Sequence, residues 1–278
     1  MYSIVIPVYN EEENVAPLYS SLKRVLDKLA DKYEIIFVDD GGKDKTFEKL
    51  SGIATNDAHV KVIKFRRNFG QSAAIAAGFE HATGEIVVSM DGDLQNTPED
   101  IPRLLDKLGE GYDVVCGWRR KRRDPLITKK VPSRVFNWLA SKISGVKIHD
   151  FGCTLRVYKR EVVKSLSIYG EMHRYIPAQA AWNGYIVGEV EVSHEPRKLG
   201  STKYGAGRIV AGALDLLTSY FLAKYFARPM HLFGTLGVLS TTTGVVVGAY
   251  LAALRLVYGV SLSDKPLLLL AVLLVIIG

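Results

Sequence analysis

Asp91 and Asp93 flank Gly92 within the stretch Glu85–Gln95, EIVVSMDGDLQ, and their type and spacing suit them to metal chemistry. Two carboxylates either side of one small residue can turn toward a single point. There they can hold a hard divalent cation through oxygen, leaving coordination positions open for a diphosphate. An Asp-Gly-Asp triplet on its own reads more readily as an ordinary surface turn, so its surroundings decide the matter. Ile86, Val87 and Val88 follow the turn residue Gly84 as a short apolar run, which reads as a buried strand delivering both acids to its carboxyl end. In open α/β sheets that end of a strand is where ligands sit.

The elements that position these acids follow from periodicity. Ser3–Val8 reads as a strand. Val15, Leu18, Leu22, Val25, Leu26 and Leu29 then recur at helical spacing. Glu34–Val38 and Val60–Phe65 read as further strands, with helices over 44–56 and Ser72–His81 between and after them. Thr97, Pro98, Glu99 and Asp100 predict a helix start, with Thr97 as N-cap, Pro98 at the first helical position and acids facing the dipole. Val114 and Val115 read as the next strand, and Glu189 and Glu191 alternate with Val190 and Val192 as in a half-buried one. Strand and helix in alternation predict an α/β fold, a mostly parallel Rossmann-like sheet with helices on both faces.

The chain has 278 residues and a net charge of +7. That balance favours anionic partners such as a nucleotide diphosphate, a lipid phosphate or an anionic membrane surface. No nucleic-acid-binding motif accompanies the charge, so no nucleic-acid partner is expected. The first strand is not followed by G-x-G-x-x-G, which leaves a dinucleotide oxidoreductase without its phosphate cradle. Cys116 and Cys153 lack metal-ligand spacing and read as reduced packing residues. No signal-peptide pattern precedes the first strand, so the catalytic part is expected to face the cytoplasm.

Toward the C-terminus the composition turns apolar. Ile209, Val210, Ala213, Leu214, Leu217, Phe221 and Leu222 share Arg208–Arg228 with Lys224, as suits an amphipathic helix in the membrane interface. Pro229–Leu254 holds no Asp, Glu, Lys or Arg over 26 residues and is long enough to span a bilayer. Pro266–Gly278 is apolar but covers only about 20 Å of helix, too short to cross, and reads as an incomplete second span of a hairpin. Gly244 and Gly248 form a small-xxx-small pair, an expected helix contact. Basic residues concentrate ahead of the first span, so the expected placement is multi-pass with the preceding domain on the cytoplasmic side. The expected division is 1–204 catalytic, 205–228 interfacial and 229–278 transmembrane, with self-association as a further expectation.

Several motifs together resemble a known family. Met90–Gln95, Ile6–Glu11 (IPVYNE) and Phe37–Asp40 (FVDD) are similar to family 2 glycosyltransferases of the GT-A fold. Phe151–Arg156 (FGCTLR), Arg197 and Ser201–Tyr204 resemble the polyprenyl-phosphate hexose synthases, the group of dolichol-phosphate mannose synthase and bactoprenol glucosyltransferase. The resemblance covers nearly the whole chain. It implies a hexose moving from a nucleotide-sugar donor, GDP-mannose or UDP-glucose, to a polyprenyl phosphate acceptor at the bilayer, with Mg²⁺ or Mn²⁺ on Asp91 and Asp93. It further implies that Pro7, Tyr9, Glu11 and Asp39 line the base and ribose pocket and that Gln71 contacts the donor. Arg119, Arg134, Arg156, Arg197, Ser201 and Lys203 would face the acceptor phosphate. A phosphate nucleophile arrives charged, so Gln95 and Asp150 read as orienting groups rather than proton acceptors. A processive polysaccharide synthase is the alternative enzyme, but its Q-x-x-R-W signature is met only by Gln179-Ala-Ala-Trp182. A binding protein on an inactive transferase fold is the other reading, against which Asp39, Asp91, Asp93 and Gln95 all stand.

Overall fold

In the computed structural model of the chain, described at residues 1–29, 31–120, 131–168, 170, 172–195, 214, 217–218, 220–222, 224–225, 228–259, 261 and 266–278, strands and helices alternate as the periodicity predicts. The strands are β1 (Tyr2–Val8), β2 (Tyr33–Asp39), β3 (Val60–Lys64), β4 (Ile86–Ser89), β5 (Val114–Trp118), β6 (Arg156–Lys159) and β7 (Val187–Glu191). They form one sheet in the order β3-β2-β1-β4-β6-β5-β7. All neighbours are parallel except β6, which runs antiparallel to both β4 and β5.

Helices α1 (Val15–Leu26), α2 (Thr46–Asn56) and α4 (Ile101–Gly109) contribute to one apolar cluster with Ile4, Ile6 and Val8 of β1. Helices α3 (Gln71–His81), α5 (Val131–Ser144), α6 (Arg160–Ser165) and α7 (Ile176–Trp182) contribute to the other with Val5, Ile36 and Val38. Alternate residues of a central strand thus enter opposite layers, and β2 is buried along its entire length. Each fully buried Ile or Leu in these layers contributes roughly 1.5–3 kcal/mol relative to exposure. The chain enters α4 through a 3₁₀ turn, Pro98–Asp100. Thr97 precedes that turn but makes no side-chain cap, so the predicted start is right in place and wrong in device. Cys116 and Cys153 are free and buried, as packing residues should be.

The described residues divide into two compact units, Met1–Ser219 and Tyr220–Gly278. In the second, α8 (Met230–Tyr258) is long and apolar enough to cross a membrane, and α9 (Pro266–Ile277) is a shorter apolar helix. They pack together: Ser240 Oγ donates to the Leu274 carbonyl at 2.8 Å, and Gly244 fits where a Cβ would fall 2.7 Å from Val275 Cγ2. Gly248 has no such neighbour, so the seam uses Gly237 and Gly244, seven residues apart, and not the Gly244/Gly248 pair expected from sequence. The predicted interfacial helix lies mostly outside the described residues, although its Leu214 and Leu217 are described and exposed.

Candidate active site

The carboxyl ends of β1, β2 and β4 lie side by side, because β1 pairs in parallel with both of the others. Each segment leaving that edge carries a residue expected at the site. Asp91 and Asp93 stand just past β4, with Gly92 packed against β1. A Cβ there would lie 2.7 Å from Val8 Cγ1 and 3.4 Å from the Pro7 carbonyl, so only glycine lets the turn close down on the strand. Leu94 completes the turn in the left-handed region, φ 59°. That conformation costs a non-glycine residue on the order of 1 kcal/mol.

Asp91 is held by neighbours on two other elements. Gln71 Nε2, from the first turn of α3, donates to its Oδ1 at 2.6 Å, and the Thr154 side chain bonds it as well. Asp93 is buried, and its Oδ1 accepts the Gln95 N–H at 3.1 Å. Burial raises the pKa of Asp91 first, and the neighbouring charge of Asp93 raises it further. Two crowded carboxylates of this kind are relieved by a cation. Oxygen-only donors with at least two ligand positions left open fit a hard divalent ion that carries a diphosphate. No cluster of three or more His, Cys, Asp or Glu that could hold a metal occurs among the described residues.

Asp39, at the end of β2, is fully buried. Its Oδ1 accepts the Gly42 N–H at 3.0 Å, whereas its Oδ2 has no partner. Burial raises its pKa, the Gly42 bond opposing. Asp40 beside it is spent structurally, accepting Phe69 N–H at 2.7 Å and Gly70 N–H at 2.9 Å and so fixing the entry to α3. Pro7 lies near the end of β1, and Tyr9 and Glu11 follow in the loop that leaves it. There Glu11 Oε2 accepts Asn14 Nδ2 at 2.6 Å, and Asn10 Oδ1 accepts the Lys43 N–H at 2.8 Å. The β1, β2 and β4 edges thus bring Pro7, Tyr9, Glu11, Asp39, Gln71, Asp91 and Asp93 to one margin of the sheet.

Past β5, Arg119 forms a two-pronged ion pair with Asp150, Nε to Oδ2 at 2.7 Å and Nη2 to Oδ1 at 3.0 Å. Burial works against the charge on Arg119, but Asp150 outweighs it and the group stays charged. Trp118 stacks on His149 at 4.4 Å, and His149 Nδ1 lies 2.5 Å from Glu189 Oε1, which ties the 149–152 loop to β5 and β7. Asp150 therefore holds the Arg119 guanidinium in one orientation. Arg156 departs from expectation. Its side chain is 2% exposed, with Nη1 and Nη2 donating to main-chain carbonyls, so both groups are spent inside the domain. The side chain of Arg134, and Arg197, Ser201 and Lys203 altogether, lie outside the described residues.

Three contributors escaped sequence reading. Thr154 sits inside the FGCTLR motif but its bond to Asp91 depends on a strand reversal that no local signal announces. Asp40 is adjacent to Asp39 and looks equivalent to it in sequence. Ser72 Oγ lies 2.8 Å from His173 Nδ1, joining α3 to a 3₁₀ turn 101 residues later. Burial, then the charges of Arg174 and Arg156, push the pKa of His173 down to about 3, so this ring stays neutral.

Comparison with known proteins fits this geometry. Residues 3–167 match Glycosyl transferase family 2. The chain is 37% identical over 280 residues to a dodecaprenyl-phosphate galacturonate synthase of Rhizobium johnstonii, covering 99% of this chain and 82% of that one. It is 39% identical over 260 residues to an undecaprenyl-phosphate 4-deoxy-4-formamido-L-arabinose transferase of Shewanella sediminis, covering 92% and 76% respectively. Among solved structures, glucosyl-3-phosphoglycerate synthase from Mycobacterium tuberculosis superposes with a TM-score of 0.59 at 19% identity, over 80% of this chain and 79% of that one. That likeness shows a shared GT-A type fold.

Proposed function

Because the chain belongs to glycosyl transferase family 2, in the group that glycosylates polyprenyl phosphates, we propose that it moves a sugar from a nucleoside diphosphate to the phosphate of a membrane polyprenol. The observation that carries this reading is the sheet margin that holds a buried, half-satisfied Asp39 at the end of β2 and, across β1, the Asp91–Gly92–Asp93 turn after β4. One end offers a base acceptor, the other a seat for a charged diphosphate.

The free Asp39 oxygen also bears on the base. With Oδ1 already bonded to Gly42, Oδ2 is the oxygen with no partner, and the imide N–H of uracil would suit it. A uridine diphosphate sugar is therefore the favoured donor over a guanosine one. Galacturonate and L-arabinose, named for the two relatives, share one configuration at ring carbons 2, 3 and 4. A galacto-configured sugar therefore ranks ahead of the mannose or glucose that the family resemblance implied.

Asp91 and Asp93 would hold Mg²⁺ or Mn²⁺, which when bound offsets charge developing on the leaving diphosphate. The protein's own groups do the rest. Gln71 and Thr154 fix the Asp91 carboxylate. Asp150 takes Nε and Nη2 of Arg119, leaving Nη1 to meet the acceptor phosphate. That phosphate, with a second pKa near 6, is largely dianionic at neutral pH and needs no general base. Its oxygen attacks the anomeric carbon in line. The bond to the donor diphosphate breaks with its electron pair leaving on the diphosphate oxygen, and configuration inverts. Helix α8 supplies the membrane attachment that a lipid acceptor calls for, and the basic residues ahead of it favour a cytoplasmic catalytic unit. Incubating the full chain and Mn²⁺ with a panel of UDP- and GDP-sugars plus polyprenyl phosphate tests the reading. The expected result is a lipid-phosphate sugar formed from a UDP donor of galacto configuration. Transfer from none of the panel, or to water only, would refute it.

A further inference from the structure

Arg156 opens β6 between the two strands whose ends carry the site, its register partners being Ser89 of β4 and Cys116 of β5. Its charge is buried, and among the described residues no carboxylate bonds it. A lone buried guanidinium is unfavourable for stability alone, and an apolar side chain of similar volume would be the cheaper filling. Its donors instead go to backbone that carries other site residues. Nη2 reaches the Phe151 carbonyl at 2.6 Å, directly after Asp150. Nη1 reaches the His173 carbonyl at 2.8 Å, and the His173 ring is bonded to Ser72, directly after Gln71.

Building on the proposed function, we infer that Arg156 is a positioning residue. From beneath the site it fixes the Asp150 loop, and through His173 and Ser72 the Gln71 end of α3, in register with Asp91. One planar fork spans both carbonyls at once, which a lysine ammonium on a single stem cannot do. Loosening either attachment would let Arg119 or Asp91 drift from the reacting centre, while the nucleoside end at Asp39 stays untouched. The role requires geometry more than charge.

The test compares Arg156→Lys and Arg156→Met with the wild-type full chain by amide hydrogen exchange and by kinetics. Two amides report the two attachments. Gly152 N–H bonds Asp150 Oδ1 at 3.0 Å, and His173 N–H bonds Ser72 Oγ at 3.2 Å. Both variants are expected to lose protection at both segments by roughly tenfold or more, with β1 and β2 unchanged. UDP affinity should stay within about twofold while kcat falls roughly ten- to hundredfold. Ser72→Ala should release the His173 segment alone. Protection that is unchanged at both segments, or lost evenly across the sheet, would overturn the inference. So would a lysine variant with wild-type exchange and kcat. If the wild-type chain transferred no sugar, the proposed function would fail, and the exchange pattern would still decide the role of Arg156.

Discussion

Asp39 shows how much one carboxylate oxygen can specify. Buried and bonded on one side only, it keeps one acceptor oxygen unmet inside the sheet edge, and a donor from a bound nucleobase would relieve that desolvation cost. Asp39→Asn turns part of that acceptor into a donor. UDP binding by calorimetry is expected to weaken roughly ten- to hundredfold, with unchanged affinity counting against the base assignment. A second residue-scale effect lies at the opposite end of β2. Burial of Glu34 would raise its pKa. Lys61 at 2.6 Å, Ser3 at 2.5 Å and the Thr83 N–H and hydroxyl, each at 2.8 Å, reverse the sign and lower it from 4.5 to about 2. The ionised form therefore adds stability above about pH 4.5, and this is lost as pH falls toward 2. Glu34→Gln should remove on the order of 2 kcal/mol at pH 7 and flatten the acid limb of the unfolding curve, as urea titrations across pH will read. Residue identity singled out Asp39, Asp91 and Asp93 as candidates, yet it could not separate Asp39 from Asp40, whose carboxylate at the same strand end holds the Phe69 and Gly70 N–H groups. It misled for Arg156, because sequence records a cation without recording that its strand reverses and turns it inward.

At the scale of elements, apolar runs and helical spacing carried the parallel half of the sheet, from Ser3–Val8 to the Ile86–Val88 strand, nearly to the residue. The antiparallel β6 was not visible, since Arg-Val-Tyr-Lys has no pattern that fixes direction. That reversal brings Thr154 and Arg156 to the site. Small residues were equally ambiguous in α8. Spacing nominated Gly244 with Gly248, but which of them meets α9 depends on the partner helix's course, and Gly244 alone of the two does. Gly244→Val is expected to lower the thermal midpoint in detergent by several degrees, since even a Cβ there would fall 2.7 Å from Val275 Cγ2 and 2.8 Å from the Ala271 carbonyl, while Gly248→Val leaves it within about a degree. Equal effects of the two substitutions would contradict the seam.

For the whole molecule, composition and order placed apolar helices after an α/β unit, and the described residues divide into two compact units, the second holding α8 and α9. The proposed transfer requires a divalent cation on Asp91 and Asp93 to carry the donor diphosphate while a lipid phosphate attacks. The most direct measurement is the rate of sugar transfer to polyprenyl phosphate against Mn²⁺ concentration, for wild type and Asp93→Ala. Wild-type activity should vanish with chelator and saturate with metal, and the variant should fall at least about a hundredfold at any metal concentration. Full rate in Asp93→Ala, or in wild type stripped of metal, would contradict it.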